Sequence, residues 1–448
     1  MIGQFDCGRQ GQMSQRLVEK SLDVTALAQC PFEFLATFNI LSVVRLRNRT
    51  ASPEVPRLHK TMFKPFSSGP TSRYLAIIGY VVILLMAFAI GLELLLWIAW
   101  SAHSLLVPEQ QLDEASSPAY SGYPWATEFW KEESERNKVH RSYIPFRVWG
   151  NVPWHGRYVN NDESEAGILR RTVGVPSSEC AKQEQIVIWV FGASVVYGLG
   201  LPDWETLPSH LSHELNSASR RCVVVTNFGV EGYVSNQELI LLTERLKASQ
   251  SPDIAIFYDG FNDATEVLLN SNDPAHAHFS LGRIGARVQG SLTGRLDFLE
   301  QTYTVRFARL IFGFFHGRHS SLSTSELTSA AARVVDNYEG NIRLAKALAQ
   351  AYHFRLYWFF QPSTYYGNKP LVPFEQRFAS VKDQWSDVYT TVYGEAQRRA
   401  KDHHEFIFLG NLFDSVKEPI YLDQVHTGPR GNELAADAIA HYIAADSK

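Results

Sequence analysis

The sequence predicts an α/β protein with a doubly wound, parallel sheet, set behind one membrane-spanning helix. Two observations carry this prediction. From Ile186 onward, short apolar runs rich in β-branched and aromatic residues alternate with helical patterns. Ahead of them, Tyr74 to Trp100 is almost unbroken hydrophobic sequence. Alternation of this kind implies parallel strands joined by right-handed crossovers.

The apolar runs are IVIWVF (186–191), VVVT (223–226), IAIFY (254–258), RLYWFF (355–360) and FIFL (406–409). Each is short and continuous, as strands buried on both faces are. Helical spacing fills the gaps. Leu207, Leu211 and Leu215 follow the first run, and Leu239, Leu242 and Leu246 follow the second. Ala331 to Ala351 precedes the fourth, and Leu434, Ala438 and Tyr442 mark a last helix. Sheets of this type bind ligands beyond the carboxyl ends of their strands.

The 448 residues are 45% hydrophobic and 20% charged, with a net charge of -4. That balance gives no footprint for a nucleic-acid partner. The four cysteines form no CxxC, which argues against a structural zinc site. The run 74–100 is long enough for a bilayer core of about 30 Å. Arg57, Lys60, Lys64 and Arg73 precede it, whereas Glu109, Asp113, Glu114 and Glu128 follow it before the next Lys or Arg, Lys131. The positive-inside rule therefore places the N-terminus in the cytoplasm and the rest outside the plasma (inner) membrane, in the periplasm or extracellular space. Glu93 is the only charge in the span and is expected to face a partner helix or the outer interface. Residues 1–73 lack periodicity and read as a disordered cytoplasmic tail. Met62, which opens a basic lead-in, is an alternative start. Residues 101–140, with SSPAYSGYP, read as an extended stalk. Residues 141–448 are expected to form the catalytic domain, with its core at 186–448 and an insertion at 264–330.

Four motifs fall in the expected strand-end and late loops. Gly192-Ala193-Ser194 places a serine at a strand-to-helix turn, where its own N–H also faces incoming negative charge. A serine hydroxyl needs a base to become a nucleophile. Asp423-Gln424-Val425-His426 supplies His426 as that base, with Asp423 to orient it. Gly232 lets a backbone N–H approach a substrate closely, and the Asn262 side chain adds a donor; together with the Ser194 N–H they would form an oxyanion hole. Each has a plainer reading: an N-cap serine, a tight turn at Gly232, and an Asx turn at Asn262-Asp263. Asp263 is assigned that structural, helix-capping role.

Taken together, these blocks resemble the SGNH hydrolases, also called GDSL-like lipases and esterases. Ser194 matches the first-block nucleophile. Gly232, five residues after Asn227, matches the second block. Asn262 in Gly-x-Asn-Asp matches the third, and Asp423 with His426 matches the last-block DxxH. The resemblance covers about residues 186–448. It implies a three-layer α/β/α sandwich with five parallel strands, acyl-enzyme chemistry, and no metal or cofactor. The first block departs from the family pattern: Ala193 stands where a local carboxylate is usual, so other contacts must hold that turn. In the implied fold the first two strands are neighbours, and Cys180 and Cys222 precede them, so a Cys180–Cys222 disulfide is expected outside the cytoplasm.

The substrate is less legible. The loop from Gln361 to Phe378 holds Tyr365, Tyr366 and Phe374 and is expected to line the cleft, with packing as the plain alternative. The reading is a membrane-anchored esterase acting on acyl, specifically acetyl, esters of an envelope or exported polysaccharide. A polysaccharide O-acyltransferase using the same triad is the first alternative, and a non-catalytic polysaccharide-binding scaffold the second.

Overall fold

The computed structural model describes residues 70–106, 114–139, 142–174, 184–218, 222–248, 251–269, 302–307, 323–379 and 384–446. The N-terminal tail, most of the 264–330 insertion and Cys180 lie outside the described residues. Contacts divide the chain between Ala76 and Ile77. Of the first unit only Pro70 to Ala76, the opening turns of a long helix, is described. The second unit, Ile77–Lys448, holds all the other described residues.

The long helix, α1, spans Pro70–Leu106. Its Arg73–Ala102 stretch contains an 18-residue window of mean hydropathy 2.8, none of it buried, and is long and apolar enough to cross a membrane. Glu93 finds its donors in the insertion rather than on a second spanning helix. Its carboxylate accepts hydrogen bonds from the Tyr303 N–H, from the Thr304 N–H at 3.0 Å and from the Thr304 hydroxyl at 2.6 Å. Those donors open a helical turn at 303–307.

Five parallel strands build the centre of the sheet, as the alternation predicts. They are preceded by a small separate hairpin, β1 (Ser142–Ile144) and β2 (Val148–Gly150), and by β3 (Trp154–His155), β4 (Asn160–Ser164) and β5 (Gly167–Arg170). The five are β6 (Gln185–Gly192), β7 (Cys222–Gly229), β8 (Ile254–Asp259), β9 (Arg355–Phe360) and β10 (Phe406–Phe408). They lie in the order β10-β9-β8-β6-β7, so β6 sits between the next two strands of the chain. Each strand sends alternate residues to opposite faces. Trp189 and Phe191 of β6 join one core layer, while Ile188 and Val190 join the other. The first layer is covered by α5 (Ser235–Lys247), α7 (Thr324–Tyr352) and α9 (Gln384–Ala400). The second is covered by α4 (Leu207–Ala218) and α10 (Pro429–Ala445). The result is a three-layer α/β/α sandwich. In-register aromatics tie the strands together: Phe228, Phe191, Phe257 and Trp358 stack in a row at centroid spacings of 5.0, 4.8 and 3.9 Å. Emptying one such buried ring position typically costs about 3–5 kcal/mol.

Two expectations need correction. Among the described residues the sheet has eight strands, because β3, β4 and β5 of the lead-in add an antiparallel extension to the five parallel ones, beyond β7. Their sequences, NNDES among them, carry no apolar alternation, so no strand signal marks them. The expected stalk over 101–140 is also largely folded. α1 continues to Leu106, and from Glu114 the chain packs onto the domain, with Phe129 of α2 (Ala126–Arg136) wholly buried. The Pro, Gly and Ser content suggests a linker, but Tyr120, Trp125 and Phe129 form an aromatic cluster that carries the segment into the fold.

Candidate active site

β6 ends at Gly192, and the chain turns into the short helix α3 (Ser194–Tyr197). Backbone bonds hold this turn. The Val230 N–H donates to Gly192 O at 3.1 Å, and the Gly198 and Leu199 N–H groups both donate to Ser194 O. Asn227 adds a side-chain brace, donating to Val196 O at 2.9 Å and accepting from the Gly229 N–H at 2.8 Å. In sequence Asn227 is only a spacing marker; in the fold it ties the first two strand-end turns together.

The structure brings Ser194, His426 and Asp423 together across 232 residues of sequence. His426 Nε2 lies 2.7 Å from Ser194 Oγ, and Nδ1 lies 2.6 Å from Asp423 Oδ2. Asp423 Oδ1 accepts the N–H groups of Val425 and His426 at 2.9 and 2.8 Å, so the carboxylate is fixed by its own loop. Burial would raise the Asp423 carboxyl, but the facing imidazole and these hydrogen bonds outweigh it and hold it below its ordinary value. Burial would likewise lower the His426 imidazole. The Asp423 charge and hydrogen bond, with a further push from Glu231, hold it above its ordinary value instead.

Gly232 follows β7 and has φ +78°, a left-handed conformation that a side chain would strain. Asn262 lies in the first turn of α6 (Phe261–Leu269), after β8. Its amide donates one hydrogen to Tyr233 O at 2.7 Å, and an amide NH2 carries a second. The neighbouring Asp263 has a structural contact. Its carboxylate accepts from the Ser235 N–H, at the start of α5, and so joins the Gly232 and Asn262 loops. Beneath them Asp259, the last residue of β8, accepts from Trp358 Nε1 at 3.0 Å and from the Tyr338 hydroxyl. Glu238 is fully buried beside it, and burial followed by the Asp259 charge pushes its carboxyl far up.

The lead-in braces the Gly232 turn, which the sequence does not reveal. Arg136 of α2 pairs with Glu231 at 2.7 Å. Trp149 Nε1 donates to Glu231 O at 2.9 Å, and Asn151 donates to Gly229 O at 3.1 Å. Arg147 donates to the Tyr233 hydroxyl at 2.9 Å. Arg136 and the buried Arg170 also lie over the Tyr197 ring, at 5.2 and 4.9 Å.

A second group without a sequence signal is Glu375, fully buried in α8 (Pro373–Ala379). One oxygen accepts from the Ile420 and Tyr421 N–H groups, both at 2.9 Å, just before the Asp423 loop. The other accepts from the Val372 N–H at 3.0 Å and from Lys369 at 2.8 Å. This bolts α8 to the loop that carries Asp423 and His426. Between them opens a cavity of about 260 Å³, with His426 and Asp423 on its wall.

Phe374 lines that cavity, as the loop reading expects, but Gln361, Tyr365 and Tyr366 are not among its lining residues. Tyr365 stacks on Tyr389 at 4.8 Å, and the Tyr366 hydroxyl donates to Gln397 at 2.9 Å. Gln361 is buried at the end of β9. These three take the packing alternative. Cys222 is disulfide-bonded and sits in register with Gln185, at the start of β6. Cys180 lies outside the described residues.

No family model matches the chain, and no curated protein does. Solved structures do. One is a lipolytic protein of the G-D-S-L family from Veillonella parvula, at 13% identity and TM-score 0.32, covering 57% of this chain and 97% of that one. Another is a carbohydrate acetylesterase family member from Sinorhizobium meliloti, at 12% identity and TM-score 0.29, covering 58% and 97%. A third is the lipase Lip_vut3 from a goat rumen metagenome, at 12% identity and TM-score 0.35, covering 57% and 97%. Likeness at these levels does not bear on substrate.

Proposed function

We propose that this chain is a serine esterase, tethered to the plasma membrane by α1 with its catalytic domain outside. Its substrate on this reading is an acyl ester, specifically an acetyl ester of an envelope or exported polysaccharide. The observation that carries the reading is the unbroken relay from Ser194 Oγ through His426 to Asp423, with contacts of 2.7 and 2.6 Å.

In the proposed reaction, His426 takes the Ser194 proton as Oγ attacks the ester carbonyl. The oxyanion is received by the Ser194 and Gly232 N–H groups and by the second amide hydrogen of Asn262. The tetrahedral intermediate collapses, its bond to the alcohol oxygen breaks, and His426 returns the proton to that oxygen. Water, activated by the same imidazole, then releases the acid. Asp423 stays ionised throughout and stabilises the imidazolium.

The test is turnover of an acetyl ester by the purified protein, with and without an acceptor glycan. Release of acetate to water that disappears in Ser194→Ala supports the esterase. Turnover only when an acceptor is present assigns an acyltransferase instead. Turnover that survives Ser194→Ala sinks both. Asn262→Ala is expected to lower kcat about a hundredfold with a smaller change in KM, as loss of one oxyanion donor does.

A further inference from the structure

Two buried acids meet beneath the loops that carry Gly232 and Asn262. Glu238 stands in the first turn of α5 and has no exposed surface. Asp259 ends β8 and is also buried. Their side chains bond to each other. Among the described residues, no N–H or O–H group of a third residue donates to either Glu238 oxygen or to Asp259 Oδ2. The charges that bear on Glu238 are Asp259 and Asp263, both negative, and no Lys, Arg or His among the described residues pairs with it.

Simple chemistry then calls for a proton between them. An ionised carboxylate only accepts hydrogen bonds, so two of them cannot bond to each other. Two carboxylates in one buried site also cannot both stay ionised. Asp259 Oδ1 already accepts from Trp358 Nε1 at 3.0 Å and from the Tyr338 hydroxyl, and such donors favour its charged form. Glu238 has no donors of that kind. The balance puts the proton on Glu238, with its O–H directed at Asp259 Oδ2.

The pair closes a ring that carries Asn262. Asp259 lies three residues before Asn262 in the chain, and Tyr233 lies five residues before Glu238. The Asn262 amide donates to Tyr233 O at 2.7 Å. A further rung runs from the Ser235 N–H and hydroxyl to Asp263, and Asn341 of α7 donates to Ser235 Oγ at 2.9 Å. Those rungs hold the start of α6 to the start of α5. Glu238 holds the end of β8 itself.

We propose that Glu238, as the protonated acid, is a positioning residue for the oxyanion hole: its O–H clamps the first turn of α5 to Asp259 and so aims the second amide hydrogen of Asn262. It touches no substrate atom and acts through Asn262. The proposal rests on the reading of Ser194 as nucleophile and Asn262 as oxyanion donor. Without the O–H the two acids lose their bond, and the amide tied to Tyr233 O turns as α5 and β8 separate. Misplacing a group in the site by about 1 Å can cost about a hundredfold in rate.

The test uses the full chain in detergent, para-nitrophenyl acetate as probe, and the Ser194→Ala protein as blank. Glu238→Gln keeps a donor in place of the O–H, and its kcat is expected within about twofold of native. Glu238→Leu fills the space without a donor, and its kcat is expected to fall about tenfold while KM stays within about twofold. On an Asn262→Ala background the same Leu change is expected to cost less than about twofold more, because the donor that it aims is gone. Melting temperatures identify the folded variants, and Glu238→Met replaces Glu238→Leu if the latter does not fold. Native kcat in the folded Leu or Met variant overturns the proposal. So does a Glu238→Gln protein as slow as that variant, or the full tenfold loss repeated without Asn262. If any of these occurs while turnover still requires Ser194, the esterase reading stands and only the positioning role falls; turnover independent of Ser194 removes the reading beneath it.

Discussion

At the scale of single residues, the geometry sets the pH behaviour. In the proposed mechanism His426 works as a base only when neutral, and Asp423 and Glu231 hold its imidazole above the ordinary value. The acid limb of kcat/KM is therefore expected above about pH 6.5, the unperturbed histidine value. Glu231→Gln removes one stabilising negative charge and should move that limb to lower pH; an unmoved limb would show that Glu231 does not act on the base. Glu238 works in the other direction. Its folded-state pKa is raised, so its contribution to stability is fully present below the unfolded carboxyl value and is lost as pH rises through the folded one. Glu238→Gln should flatten the resulting fall in melting temperature with rising pH. Ser194, His426 and Asn262 are legible in sequence because they sit beside glycines and turns that advertise them. Glu238 and Glu375 are not, because a lone glutamate in a helix looks the same whether it faces water or a buried partner.

At the scale of elements, the lead-in and α8 act as braces on loops that the core alone leaves unsupported. Arg136, Trp149 and Asn151 reach the Gly229–Gly232 turn, and Glu375 reaches the Asp423 loop. Glu375→Ala leaves Lys369, whose side chain is only 5% exposed, without its carboxylate, and frees two catalytic-loop N–H groups. Removing one partner of such a buried pair is expected to cost about 3–5 kcal/mol, measurable by denaturant unfolding. Any folded fraction should lose kcat more than KM, because the base is then held less firmly. The central strands can be read from their continuous apolar runs. Strands β3 to β5 cannot, because they are short and, as in Asn160-Asn161-Asp162-Glu163, largely polar, and their pairing is decided by what lies beside them.

At the scale of the molecule, the disulfide and α1 bear on the compartment. Cys222 is disulfide-bonded. Its reduction or a Cys222→Ser change is expected to cost about 2–5 kcal/mol, visible as a lower melting temperature under reductant. An unchanged melting temperature would mean the bond closes no loop that matters for stability. Proteolysis of sealed cells is expected to reach the catalytic domain only from outside the cytoplasm. Glu93 adds a contact that sequence alone does not place: the single charge of the apolar stretch is taken up by backbone donors of the insertion, at Tyr303 and Thr304. In a setting poor in water, a carboxylate must find donors, and the open start of a helical turn supplies them.

The sequence by itself determined the parallel sheet, the long apolar helix and the residues able to do acyl chemistry. These are local or periodic properties, written in strand-length runs, an uninterrupted hydrophobic stretch, and glycine-rich turns at strand ends. Only the tertiary structure decided that the expected stalk folds, that Tyr365 and Tyr366 pack against α9, and that Trp130 and Phe374 share a cavity with His426. Those outcomes depend on which surfaces meet. Trp130 and Phe374 are 244 positions apart in the chain, and no local pattern records that they face one another.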